Sequence, residues 1–514
     1  MTLVEGLARW ASELGYSDIP DDVKELCRAQ RRSMLAAVAA SDEDPATQRV
    51  LDAVEKNLPH GDMPFLLRDR HTTALTSIYG ATVASMALDY DDYVCFGHTG
   101  HTSVLVPLLF ARAAAASGKE QLVAQVVSNE IQARLGGACL LGPLNGQMWS
   151  FVHTAGTAIA AARLLRLDAT QTAHALALSL YQAPRPVVPG FMSPDSKLLT
   201  AAEPATIGMR AALLAQSGVT GPLDVLDHHH GFLDAFSYAP LRAMLDGFGY
   251  GWATRTLSVK PYPGCAYLDT TLDALFELGR RDPDEIDCVE VHAGVLTCAM
   301  DRMSRPYADV DPPTPVTINF SVAWNVAIGL LAGRLTPQEL GAGWLRQNRD
   351  RLRDIAARVT VIHDMSATRK TVDSMTNIVP VNLVRRELGA KKLVTAVMRA
   401  RRDHPRVLST TDLRTLGRTL SRPTIRHADR FWDPHALESF RMTFPARVCL
   451  RLKDGRHLDA EIATPRGAAG DSGEGPVGVA RRKLFEFGGK MWRDVDAIER
   501  SVQSDADDIV SLLS

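Results

Sequence analysis

Three carboxylates (Asp89, Asp91, Asp92) and two imidazoles (His98, His101) fall within the thirteen positions 89–101. Residues 94–111 contain no Asp, Glu, Lys or Arg, so this polar cluster runs directly into apolar sequence. Ionisable groups at the mouth of a buried helix are costly unless paired, and a carboxylate paired with an imidazole is a tuned proton-transfer site. Gly97 and Gly100 interleave with the histidines and permit backbone angles that other residues avoid. A metal site is the competing chemistry, because His98-x-x-His101 beside three aspartates contains ligand types. The spacing lacks the His-Glu-x-x-His form that would also supply a base from a helix. A solvated loop between two helices is the plain alternative. Proton transfer without a metal is the reading adopted here.

The elements that would position this segment are helical. Residues 2–14 carry Leu3, Leu7, Trp10 and Leu14 at helical spacing, and Pro20-Asp21-Asp22 opens a second helix running to about residue 40. A third helix from about residue 72 leads down to Asp89. After the histidines, residues 103–117 and 120–135 are expected as a helical pair, followed by helices over 153–165, 168–182 and 197–216. Residues 135–162 lack Asp, Glu, Lys and Arg and are long enough to span a bilayer. The run 142–147, Gly-Pro-Leu-Asn-Gly-Gln, breaks the stretch, so two buried helix ends meeting at a turn are expected instead. Alanine-rich, nearly charge-free helices in succession predict an all-α body with a deeply buried centre.

The texture changes after about residue 257. Residues 287–295 and 358–363 read as strands, and 446–452 with 457–463 flank Lys453-Asp454-Gly455-Arg456, a hairpin signal. Helices are expected over 321–332 and 336–348. The predicted fold is mainly α: an all-α domain over 1–257, to which 479–514 returns, and an inserted α+β lid domain over 258–466, with a linker at 467–478. Residues 365–430 hold 15 Lys or Arg against 5 Asp or Glu. That basic, largely helical insertion reads as a solvated face, a lid that draws in an anion, or a subunit contact.

A net charge of −2 argues against a general nucleic-acid or membrane-surface role, and 46% hydrophobic residues are enough for a large core. The seven cysteines contain no Cys-x-x-Cys pair, which reads as reduced intracellular thiols in a cytoplasmic protein. Glu5, Arg9 and Glu13 stand where a signal peptide would be apolar.

Six motifs in order carry a resemblance. They are Leu88-Asp89-Tyr90-Asp91-Asp92, Gly97-His98-Thr99-Gly100-His101-Thr102, and the run from Val152-His153-Thr154 to Ala162. Then come Ser196-Lys197-Leu198-Leu199, Val259-Lys260-Pro261-Tyr262-Pro263-Gly264-Cys265, and Asn319-Phe320-Ser321-Val322-Ala323-Trp324-Asn325. The chain resembles the MmgE/PrpD family, which includes 2-methylcitrate dehydratase, cis-aconitate decarboxylase and iminodisuccinate epimerase. The resemblance covers roughly residues 1–360 and 440–514. It implies an α-helical domain with an inserted α+β lid, a homodimer, and chemistry without metal or organic cofactor.

Carried over to this chain, the resemblance places Asp89, His101 (or His98), His153, Lys197 and Lys260 in the catalytic set. Dehydration, decarboxylation and epimerisation of small carboxylic acids all develop negative charge beside a carboxylate. Ammonium groups stabilise that charge, and imidazoles move the proton. On that reading His101 and His153 transfer protons, Lys197 and Lys260 bind carboxylate, and Asp89 supports an imidazole. Asp91, Cys265 and Trp324 are expected to touch substrate. Cys265 stands where relatives often have histidine and Trp324 where tyrosine is common, and the basic insertion is longer than the family pattern. The leading expectation is a cofactor-independent lyase. An epimerase or isomerase on the same scaffold, or a non-catalytic helical binding protein, are the alternatives.

Overall fold

The structure is a computed structural model that describes residues 1–513 except 96, 144–149, 186, 193 and 404–428. The turn expected at 142–147 and the second half of the basic insertion therefore lie largely outside the described residues.

Helices dominate the first half. Leu3–Glu13 starts at a capping box in which Thr2 and Glu5 satisfy each other's backbone N–H, and Asp21–Ala40 follows Pro20. Ala74–Met86, Gly118–Ala138, Ser150–Leu164, Ala169–Leu180 and Leu199–Gln216 complete the body. Ser150–Leu164 runs through its centre, between Gly118–Ala138 and Leu199–Gln216. Two glycines allow this close approach. A Cβ on Gly156 would lie 2.2 Å from Gln132 Nε2, and one on Gly208 would lie 2.4 Å from the Thr154 carbonyl.

The helix expected over 103–117 is instead two short pieces, Gly100–Ser103 and Leu105–Phe110. Pro107 has no N–H to extend the ladder there, and Ala115 takes a positive φ of 49° where the chain turns. The helix expected over 336–348 begins later, at Ala342, and runs to Ala356. Thr336 and Glu339 close a tight turn first, with the Thr336 N–H and hydroxyl donating to Glu339 Oε2 at 3.0 and 2.6 Å.

The strand-bearing part is a four-stranded sheet in the order Val359–His363, Ile286–Ala293, Ala446–Leu452, His457–Ile462. The first pair is parallel and the other two are antiparallel. Helices Asp269–Glu277 and Val322–Ala332 pack against it and share its apolar core. The first half of the insertion forms Met365–Met375 and Val381–Asp403, the latter kinked at Gly389. Glu387 in that helix accepts from the backbone N–H of Arg242 and Ala243.

Three features draw distant parts together. The chain after residue 474 returns to Asp21–Ala40: Arg32 Nε donates to Glu499 at 2.8 Å, and Arg28 pairs with Asp505 at 2.7 Å. The glycine-rich segment 467–478, read as a linker, is anchored rather than loose. Its Gly467 carbonyl accepts from Val259 N–H at 2.8 Å, and Ala468 and Ala469 are buried. Asp92–Tyr93 pairs antiparallel with Ser258–Val259, which sets Lys260 beside Asp91. Among the described residues no helix is long and apolar enough to cross a membrane.

One buried ion pair fastens the segment 246–254 to the body. Glu130 accepts from Ala253 N–H, Thr254 N–H and Thr254 Oγ1 at 2.8–2.9 Å and lies 3.3 Å from Arg134, whose guanidinium donates to the Asp246 and Gly251 carbonyls. Removing one member of a buried pair leaves the other uncompensated. Glu130→Gln is therefore expected to destabilise the fold by about 3–5 kcal/mol, read as a lowered urea midpoint. An unchanged midpoint would refute that role.

Candidate active site

The carboxylate loop follows helix Ala74–Met86. Asp89 adopts a positive φ of 49°, which turns the chain so that Asp89 and Asp91 are both buried. Four successive carbonyls of this loop are held from outside. Leu88 O accepts from Gly264 N–H at 3.0 Å and Asp89 O from Lys260 Nζ at 2.9 Å. Tyr90 O accepts from Lys483 Nζ at 2.7 Å, and Asp91 O from Lys260 N–H at 3.2 Å.

Asp91 is the hub. Its Oδ1 lies 2.6 Å from Lys260 Nζ, and its Oδ2 lies 2.7 Å from His98 Nδ1 and 3.1 Å from His101 Nε2. Burial alone would raise the Asp91 carboxyl, but Lys260 and the two imidazoles hold it well below the ordinary range. His101 also has its Nδ1 2.8 Å from Ser85 Oγ, so both of its ring nitrogens face partners. His98 uses only Nδ1, and its Nε2 has no hydrogen-bond partner among the described residues.

His153, in the central helix, has Nδ1 3.0 Å from Thr102 Oγ1, and its ring stands edge-on to His101 with centroids 5.8 Å apart. Burial, reinforced by the neighbouring imidazoles, depresses its pKa well below 6.5, so it is neutral at neutral pH.

Asp89 does not back an imidazole, contrary to the role expected of it. Its Oδ2 lies 3.0 Å from Lys197 Nζ and accepts from Asn319 Nδ2 at 2.7 Å. The carboxylate that touches the histidines is Asp91. Lys197 is fully buried, between the rings of Phe191 and Phe320 at 5.6 and 5.4 Å. An ammonium carries three donors, and among the described residues Asp89 is the acid that Lys197 meets. Burial pulls the Lys197 pKa down against the opposing pull of Asp89. Lys260 is likewise resisted by burial, but Asp89 and Asp91 together carry its pKa up.

Asp92 faces the other way. Gln30 Nε2 donates to its Oδ1 at 2.8 Å, while Oδ2 packs against Gly100, where a Cβ would come within 2.2 Å. Burial, with the charge of Asp91, raises the Asp92 pKa to about 7.

Of the residues expected at the substrate, Cys265 lies behind the loop: its N–H donates to Asn319 O at 3.3 Å, and burial pushes its thiol up to about 12. Trp324 lies in the apolar core of the strand-bearing part, and among the described residues no hydrogen bond joins it to the cluster. From its motif, Asn319 is the residue that reaches in. Sequence reasoning missed Asn319, Ser85, Thr102 and Lys483. Among the described residues no group of three or more His, Cys, Asp or Glu is arranged to hold a metal ion.

A mainly helical body, a small mixed sheet and a buried carboxylate–imidazole–ammonium centre define the class. The chain belongs to the MmgE/PrpD family: the N-terminal domain of that family matches residues 5–242 and its C-terminal domain residues 262–414. The chain is similar to a cis-aconitate decarboxylase-like protein of Aspergillus oryzae, 27% identical over 318 residues. That match covers 56% of this chain and 63% of the relative's length. It is also similar to cis-aconitate decarboxylase of Aspergillus terreus, 23% identical over 422 residues, covering 75% of this chain and 85% of the relative.

The depressed pKa of His153 has a signed consequence. On unfolding, the imidazole takes up a proton near 6.5 that the folded protein excludes, so its stability contribution is full above that pH and is lost as pH falls through it. From about pH 8 to about pH 5 the variant His153→Gln should therefore gain stability relative to the wild type, in urea unfolding at each pH. Parallel pH curves would show that His153 is not held neutral.

Proposed function

We propose that this protein is a lyase, a dehydratase or decarboxylase, that acts on a small carboxylic acid by proton transfer beside a carboxylate. The observation that carries the reading is Asp91, one buried carboxylate touching His98, His101 and Lys260 at 2.6–3.1 Å. An ionised carboxylate behind an imidazole fixes its tautomer and stabilises the imidazolium formed when it takes a proton. That arrangement favours His98 over His101 as the exchanging base, because Nε2 of His98 is the nitrogen left to face a substrate. His101 then orients Asp91. His153, neutral and near His101, is the second proton-transfer group.

Lys197 takes the substrate carboxylate. As the proton leaves the adjacent carbon, charge builds on that carboxylate, and a buried ammonium stabilises it more than water would. Lys260 holds the Asp89 carbonyl and the Asp91 carboxylate in place and, with Lys197 the stronger influence at Asp89, keeps both carboxylates anionic. Acid, base and cation all come from the chain, so the proposed reaction needs no metal or organic cofactor. The decarboxylase names of the relatives support the lyase class and a small acid as substrate. A homodimer and a cytoplasmic site of action belong to the same proposal.

The test is turnover of mono-, di- and tricarboxylic acids in deuterated water, followed by NMR. The expected result is loss of carbon dioxide or water with solvent deuterium at one carbon, unaffected by chelator. Exchange with inversion and no lost group would make the protein an epimerase, and no change with any acid would overturn the reading. Lys197→Ala and His98→Ala should each lower kcat/KM by about a hundredfold or more while the fold is retained.

A further inference from the structure

Behind the carboxylate loop lies a lysine that the proposed chemistry does not use. Lys483 ends the helix Gly475–Lys483, just before a single wide π turn over Leu484–Gly488. Its neighbours Arg481 and Arg482 pair with Glu499 and Glu474 near the surface, but Lys483 is fully buried. Its Nζ donates to Tyr90 O at 2.7 Å and Ser33 Oγ at 3.0 Å and stands 3.8 Å from the centre of the Tyr90 ring. Phe487, one turn on, meets the same ring edge-on at 5.5 Å.

A buried ammonium is expensive, and a methionine of similar length would fill the space at less cost. The Tyr90 carbonyl belongs to the peptide unit joining Tyr90 to Asp91. The peptide before it is held by Lys260 through Asp89 O. Two ammonium groups thus hold two consecutive peptide planes, and the carboxylates of Asp89 and Asp91 are set by those planes.

We propose that Lys483 is a positioning residue: by holding the Tyr90 carbonyl it sets the placement of Asp91, and through Asp91 the imidazole of His98. This rests on the lyase reading of the loop. The groups whose charge reaches Lys483 are Asp91 and Asp92 on the loop, Lys260 after the short strand and Asp269 at the start of Asp269–Glu277. Burial, opposed chiefly by Asp91 and Asp92, brings the Lys483 pKa down to about 7. The charged, fully donating form is therefore lost as pH rises through neutrality, and kcat should fall along that limb.

The experiment compares the full-length wild type with Lys483→Met and Ser33→Ala, using the turnover assay and ring-nitrogen NMR of His98 and His101 across pH. Lys483→Met is expected to fold, to lower kcat about tenfold or more with KM little changed, and to shift the His98 signal, as loss of an outer support does. Ser33→Ala keeps the lysine but removes an acceptor of its charged form, so the limb should move to lower pH. Wild-type kcat with unmoved histidine signals in Lys483→Met would overturn the proposal. Should that variant fail to fold, an unmoved limb in Ser33→Ala overturns it. Should the wild type turn over no acid, the lyase reading falls, and the histidine titrations decide alone: identical curves in wild type and Ser33→Ala overturn the positioning role, and displaced curves sustain it.

Discussion

The structure depends on keeping Asp89 and Asp91 ionised inside the protein. An unpaired buried carboxylate costs several kcal/mol, and two of them separated by one residue also repel each other. The solution is a matched set: Lys197 on Asp89, Lys260 on Asp91, and the imidazoles of His98 and His101 on the remaining oxygen of Asp91. Ammonium groups also hold the carbonyls, so the loop is fixed along both its side chains and its backbone. Such a cluster contributes little net stability compared with an apolar core, but it specifies geometry.

The supply of those cations explains why the fold is interleaved. Lys197 comes from the turn before Leu199–Gln216, Lys260 from the position just after the two-residue strand Ser258–Val259 that pairs with Asp92–Tyr93, and Lys483 from the returning C-terminal helix. No local segment could present all three to one loop. The anchored 467–478 segment, bonded through Gly467 to Val259, locks the Lys260 strand and the start of the C-terminal helix together. The close helix contacts at Gly156 and Gly208 fix the central helix that carries His153.

Residue type and spacing made part of this legible. Three aspartates and two histidines set against the charge-free run 94–111 identified the loop, and the helical body and the hairpin at 446–462 followed from periodicity and turn residues. The division of labour between Asp89 and Asp91 was not legible, because it depends on the positive φ at Asp89 and on which lysine arrives from elsewhere. Lys483 was hidden in the run Arg481-Arg482-Lys483, which has the look of a solvated basic face; two of the three are that, and burial of the third is purely tertiary. Ser85 and Thr102 sit within helices as ordinary small polar residues, and the imidazoles folded against them give them meaning. The split helix after His101 followed from Pro107, a signal that was present but outweighed by the apolar run around it.

The charges around the loop also define how the site must respond to an anion. Asp89 and Asp91 are balanced by Lys197 and Lys260, so the inner set is close to neutral before any ligand arrives. Asp92 and Lys483 flank that set, and burial moves both toward neutrality, Asp92 up and Lys483 down, to about 7. A carboxylate placed on Lys197 adds a negative charge that raises the proton affinity of both flanking groups and of His153, since each gains from the new field in its protonated form. Binding of an acid at Lys197 would thereby be coupled to proton uptake at any pH where a flanking site is empty in the free protein and filled in the complex. The same coupling would place a proton reservoir beside Asp91, within the cluster whose imidazoles are proposed to give and take protons, without enlarging the set of groups proposed to touch the substrate.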